Sequence, residues 1–109
     1  MKYNVLITGQ AERDMDSAAN YIRATLLNPT AAHALLVQAR EEIASLAAFP
    51  LRYGLVDDPI LASWGVRFLT INHYLAFYTV SESTQTVYIL RFLHSRRDWA
   101  ALLKQDDFP

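Results

Sequence analysis

Polar and apolar residues alternate over residues 3–8, with Tyr3, Val5 and Ile7 on one side and Asn4, Leu6 and Thr8 on the other. A period of two over β-prone residues predicts a strand. Gly9 and Gln10 interrupt it, and over residues 11–26 the period lengthens. Ala11, Met15, Ala18, Ile22 and Leu26 recur at spacings of three or four, the stripe of an amphipathic helix. Asn28-Pro29 then reads as an N-cap with proline in the first helical position. It opens a second helix that runs to about residue 48 on Ala32, Leu35, Leu36, Ala39, Ile43 and Leu46, until Phe49-Pro50 stops it. Two helices joined by so short a connection pack as an antiparallel hairpin.

Residues 51–65 are the least regular stretch and predict a long surface loop. Within it Asp58-Pro59 can cap a single helical turn over residues 60–63, and Trp64 is expected to pin the segment onto the core. Three strands follow, over residues 66–71, 74–81 and 86–93. Asn72-His73 and residues 83–85 supply their turns, which makes them an antiparallel meander. Residues 96–105 close the chain as a short helix or tail anchored by Trp99, Leu102 and Leu103. The order is β-α-α-β-β-β, an α+β domain over residues 1–109 with an antiparallel sheet packed on a helix hairpin. The meander strands are apolar on both faces. One face covers the hairpin; the other is left open, and with the hairpin it forms a groove for an amphipathic helix.

Composition adds limits. The chain has 109 residues, 52% of them hydrophobic, enough for one core and too few for two. A domain this short buries only about 60–70% of its unfolded surface, so a partner can supply part of its stability. The formal charge of −1 is not the footprint of a protein that holds nucleic acid unaided, and no direct DNA binding by the chain alone is expected. Charge is nonetheless uneven, with Arg91, Arg96 and Arg97 close together. There is no cysteine, which excludes disulfides and thiolate metal sites and suits a reducing compartment. No apolar run reaches the roughly 20 residues of a membrane span and no signal peptide is visible, so a cytoplasmic protein without membrane attachment is expected. His33, His73 and His94 are scattered and no glycine-rich phosphate loop exists, so no metal and no cofactor are expected.

Four words in order carry a family resemblance: Ala11-Glu12-Arg13-Asp14-Met15 leading to Tyr21-Ile22; Ile43-Ala44-Ser45-Leu46 ending in Phe49-Pro50; Arg67-Phe68-Leu69 followed by Tyr74-Leu75-Ala76-Phe77-Tyr78; and the strand from Val87 followed by His94-Ser95-Arg96-Arg97-Asp98-Trp99. Together they resemble the RelE/ParE toxin superfamily of type II toxin–antitoxin systems, closer to the ParE-like branch. The resemblance implies a toxin that arrests growth by inhibiting DNA gyrase, that serves plasmid stabilisation, and that a cognate antitoxin neutralises. The alternative it implies is a RelE-like endoribonuclease cutting mRNA on the ribosome; a third reading is an inactive structural remnant of the family. The RelE-like pattern places an arginine just before the apolar run of the middle strand, where this chain has Leu75, and nuclease members are rich in lysine where this chain has only Lys2 and Lys104.

Candidate residues follow from both readings. RNA cleavage needs an acid or base and positive charge on the phosphate, which His94 and Arg96 can supply. The bland alternative for His94 is a hydrogen bond that closes the junction between strand and tail. Arg91, Arg96, Arg97 and Trp99 are candidates for contacting the target or the antitoxin. Against this, Asp98 can pair with either neighbouring arginine and fix the tail, while Arg67 and Arg91 can form ion pairs with Glu12 or Asp14 inside the fold. Tyr74 and Tyr78 share a strand face and serve either packing or proton transfer.

Overall fold

Thr8 starts the first helix, one step earlier than Gly9-Gln10 suggests. In the computed structural model, which describes residues 2–106, strand β1 (Asn4–Ile7) ends there and helix α1 (Gly9–Asn20) begins. The Thr8 hydroxyl accepts from the Ala11 N–H at 3.2 Å, meeting one of the donors a helix start leaves open. Met1 and residues 107–109, the ends of the expected domain, lie outside the described residues.

The expected helix does not stay α-helical to residue 26. At Tyr21–Thr25 it widens into a π turn, where the Leu26 N–H reaches the Tyr21 carbonyl at 3.2 Å. An extra residue per turn slips the apolar stripe by about 100°, so Ile22 still packs on the core while Leu26 turns outward and Leu27 is 80% exposed. Helix α2 (Pro29–Ala44) then starts as predicted, with the Asn28 side chain accepting from the Ala31 N–H, and continues as a 3-10 turn over Ser45–Ala47. Arg40 grips Glu12 through two hydrogen bonds of 3.1 and 3.2 Å and ties α2 to α1.

The irregular stretch holds helix α3 (Pro59–Ser63), whose N-terminus Asp58 caps by accepting from Ile60 and Leu61. Leu61, fully buried, anchors it, whereas Trp64 is 49% exposed and corrects the expectation that it pins this segment. Strands β2 (Arg67–Ile71), β3 (Tyr74–Ser81) and β4 (Thr86–His94) form the predicted antiparallel meander, with Asn72 at φ 55° in the first turn. The sheet order is β1-β4-β3-β2, and β1 lies parallel to β4, so a mostly antiparallel sheet carries one parallel edge.

One sheet face meets the helix hairpin. Met15, Ile43 and Leu46 pack there on Leu69, Tyr78 and Ile89. The other face corrects the expectation of open apolar surface. Helix α4 (Trp99–Gln105) and α3 lie over it, burying Leu61 and Leu103 against Leu75, Phe77, Leu90 and Leu93. Asp98 caps α4 instead of pairing with an arginine, and Lys104 reaches Asp58 at 2.7 Å to join the two short helices. The exposed apolar residues lie elsewhere, Tyr21, Leu26 and Leu27 at the hairpin tip among them.

Candidate functional site

β1 stops at Ile7, opposite Ile89, so the edge of β4 continues past it with no strand alongside. Unpaired backbone at such an edge needs partners. Thr8 supplies the first: its N–H and its hydroxyl both donate to the Ile89 carbonyl, and the hydroxyl also reaches that of Leu90. Asp14, two turns along α1, supplies the next by accepting from the Phe92 N–H at 3.0 Å. Between them the register slips opposite Phe77 and Tyr78, which leaves Leu90 as an extra residue in β4.

Arg91 follows that bulge and is 8% exposed. Its Nε and Nη2 donate to the two Asp14 oxygens at 2.7 and 3.1 Å, and its Nη1 donates to Asp106, just past α4, at 3.2 Å. The Asp14 hydrogen bonds raise the arginine pKa against the opposing effect of burial. Of the two expectations for Arg91, the structure places it in the ion pair with Asp14. Gln10 donates to Asp14 as well, so both carboxylate oxygens accept two hydrogen bonds each.

Beside this edge lies a cleft of about 580 Å³. The last turns of α1 give it Ser17 and Ala18, the π turn gives Tyr21, β3 gives Tyr74, and the end of β4 gives Phe92 to His94, with Arg97 at the rim. Tyr74 lies flat on Phe92, ring centres 5.1 Å apart, and meets His94 edge-on at 5.3 Å. Partial burial, and then the neighbouring Tyr21, push the Tyr74 phenol up from its usual pKa. His94 Nδ1 accepts from the Arg96 N–H at 3.1 Å, and the His94 carbonyl accepts from the Arg97 N–H at 2.9 Å. His94 thus closes the junction of strand and tail, and its neutral ring must carry the proton on Nε2.

The sequence-predicted residues separate accordingly. His94, Arg91 and Arg97 share the cleft. The Arg96 side chain is exposed away from it, and Trp99 sits on the other side of the sheet, its ring 5.1 Å from that of Phe77. Arg67 donates to the Tyr53 carbonyl at 2.7 Å rather than to a carboxylate. The buried Tyr78 hydroxyl donates to the Pro50 carbonyl, and burial raises its pKa. Among the described residues no group of three acidic or histidine side chains could hold a metal ion, and no helix is long and apolar enough to cross a membrane. Tyr21 is the cleft residue that sequence reasoning misses as a site residue. Beyond its place in the first family word, its signal is a position just off the helical stripe, which turns toward the cleft where the helix widens.

Comparison with known proteins fits this geometry. No curated protein matches the chain. Chains of solved structures share its fold, two of them as follows. A chain of the chromosomal ParDE toxin–antitoxin system from P. aeruginosa is 21% identical, with a TM-score of 0.68 over 85% of this chain and 96% of its own. A chain of the toxin–antitoxin complex RelBE2 from Mycobacterium tuberculosis is 22% identical, with a TM-score of 0.57 over 86% of this chain and 99% of its own. At these identities the likeness speaks for the fold. The family model of the ParE toxin of the type II toxin–antitoxin system parDE matches residues 5–99, nearly the whole chain, and the protein therefore belongs to the ParE toxin family.

Proposed function

We propose that the chain is a ParE-like toxin that acts in the cytoplasm by binding, arrests growth by inhibiting DNA gyrase, and is neutralised by a cognate antitoxin. The observation that carries this reading is the ParE family match over residues 5–99. Both similar structures are named as toxin–antitoxin systems, which supports the antitoxin. Two features favour binding over bond cleavage. Leu75, where the nuclease pattern has an arginine, is 9% exposed beneath the C-terminal helix. The Nδ1 of His94 is committed to the backbone, which leaves one ring nitrogen free.

Pulse labelling in the minutes after induction tests the proposal, with DNA and protein synthesis followed side by side. DNA synthesis should fall first, and His94→Ala should remain toxic. The second reading is the ribosome-dependent endoribonuclease, and what favours it is that His94 and Arg97 line one cleft, an acid or base beside a cation. Under that reading protein synthesis falls first and His94→Ala abolishes toxicity. Absence of growth arrest altogether would leave the inactive remnant.

A further inference from the structure

The cleft beside β4 offers donors and few acceptors. Asp14, its one carboxylate, already accepts four hydrogen bonds and is neutralised by Arg91. His94 presents Nε2–H, since Nδ1 is an acceptor. Among the described residues the hydroxyls of Tyr21 and Tyr74 and the Arg97 guanidinium have no hydrogen-bond partner within the protein. Two phenols, an imidazole N–H and a guanidinium thus line a space large enough for a side chain and a stretch of backbone. Ala18 and Phe92 lie buried beneath, and the exposed apolar surface of the lining is the Tyr21 ring.

We infer that this cleft binds a carboxylate side chain of a polypeptide partner, with an apolar neighbour of that residue seated against the exposed Tyr21 ring. Charge selects a carboxylate over a phosphate. Within the lining, Arg91 and Asp14 cancel, so Arg97 is the one uncompensated cation and matches a single negative charge. A dianion would bring a second charge with no further uncompensated cation in the lining to meet it. A polypeptide also suits what adjoins the cleft. Tyr21, 53% exposed, belongs both to the lining and to the apolar hairpin tip with Leu26 and Leu27, so a bound segment can run on from one to the other. In the toxin reading the segment belongs to the antitoxin, and that part of the inference rests on the proposed function.

The test is a titration of the full chain with acetyl-Phe-Glu-amide, its acetyl-Phe-Gln-amide twin and inorganic phosphate, followed by amide chemical shifts. The glutamate peptide should move the signals of Tyr21, Tyr74, His94 and Arg97. The glutamine twin should bind about tenfold more weakly, as should the glutamate peptide to Arg97→Gln. Arg97 is exposed and unpaired, so that variant keeps the fold; Tyr21→Phe, which removes one hydroxyl, should weaken binding about threefold. Equal affinity for the two peptides, shifts elsewhere on the surface, or tighter binding of phosphate than of the glutamate peptide overturns the inference. The two readings fail separately. Arrest of DNA synthesis without peptide binding defeats the cleft assignment alone, and peptide binding without arrest defeats the gyrase assignment alone.

Discussion

The two faces of the sheet are buried by different means. On one, a 16-residue helix and a 12-residue helix lay long stripes on the strands, and the Glu12–Arg40 pair ties them to each other. On the other, helices of five and seven residues cover a smaller buried cluster. Isolated helices shorter than about 12–15 residues are marginal in water. Each short helix therefore depends on an aspartate cap, on one buried leucine and on the Lys104–Asp58 contact between them. The hairpin is therefore expected to unfold with the whole fold, and the α3–α4 cover to open as a local unit at lower free energy.

Arg91 is where the two regions meet, so its loss gives the largest expected effect. Arg91→Ala leaves the Asp14 carboxylate buried without its cation and should cost about 3–5 kcal/mol of global stability in a denaturant titration. Asp106→Asn removes only the ion pair that links Arg91 to the end of α4 and should cost less than about 1 kcal/mol. Equal losses would mean that the ion pair serves the cover rather than the β4 edge.

A matched pair of truncations separates the regions next. Ile43 and Leu103 are both almost wholly buried, one under the hairpin and one under the cover. Ile43→Ala should lower global stability by about 3 kcal/mol. Leu103→Ala removes as much side chain, but its global cost cannot exceed the docking free energy of the cover. It should fall below about 2 kcal/mol, while amide exchange over residues 99–105 speeds up sharply. Equal global losses with unchanged exchange there would make the cover an integral part of the core.

This difference also explains what could be read from the sequence. The hairpin was legible because Leu35, Ala39, Ile43 and Leu46 keep a helical period over several turns, and the meander because its turns are short. The direction of β1 was not, because alternation says which face a side chain takes and nothing about the neighbouring strand. A seven-residue helix has too few turns to declare its face, so the tail was recognised by Trp99 and Leu103 but its place over Leu75 and Phe77 was not. For Arg91 the sequence offered Asp14 as one of two carboxylates, and only the bulge and the end of β1 choose between them. The cleft was half legible. His94 and Arg97 stand out as types, while Tyr21 joins them through a π turn that leaves the residue pattern unchanged.

Acid should sharpen the comparison with the smallest effect. The hydrogen bonds from Arg40 hold Glu12 below the usual glutamate pKa, and that from Lys104, with the Leu61 and Ile60 amides, holds Asp58 below the usual aspartate value. A carboxylate depressed in the folded state stabilises fully above its unfolded pKa, about 4, and loses that contribution as pH falls through the folded value. The raised pKa values of Arg40 and Arg91 lie on the other side: their contribution is complete at every pH below the arginine range and does not change in acid. Stability should therefore drop between about pH 5 and pH 2. Glu12 is exposed, and solvent screening limits its share to less than about 0.5 kcal/mol, which Glu12→Gln should remove from the pH profile. Asp58→Asn keeps a capping side chain but loses the charge facing Lys104. In that variant the acid-induced loss of exchange protection should disappear over residues 59–63 and 99–105 while persisting in the hairpin. If it persisted in both, the cover and the hairpin would be opening together, and the two faces of the sheet would belong to one cooperative unit.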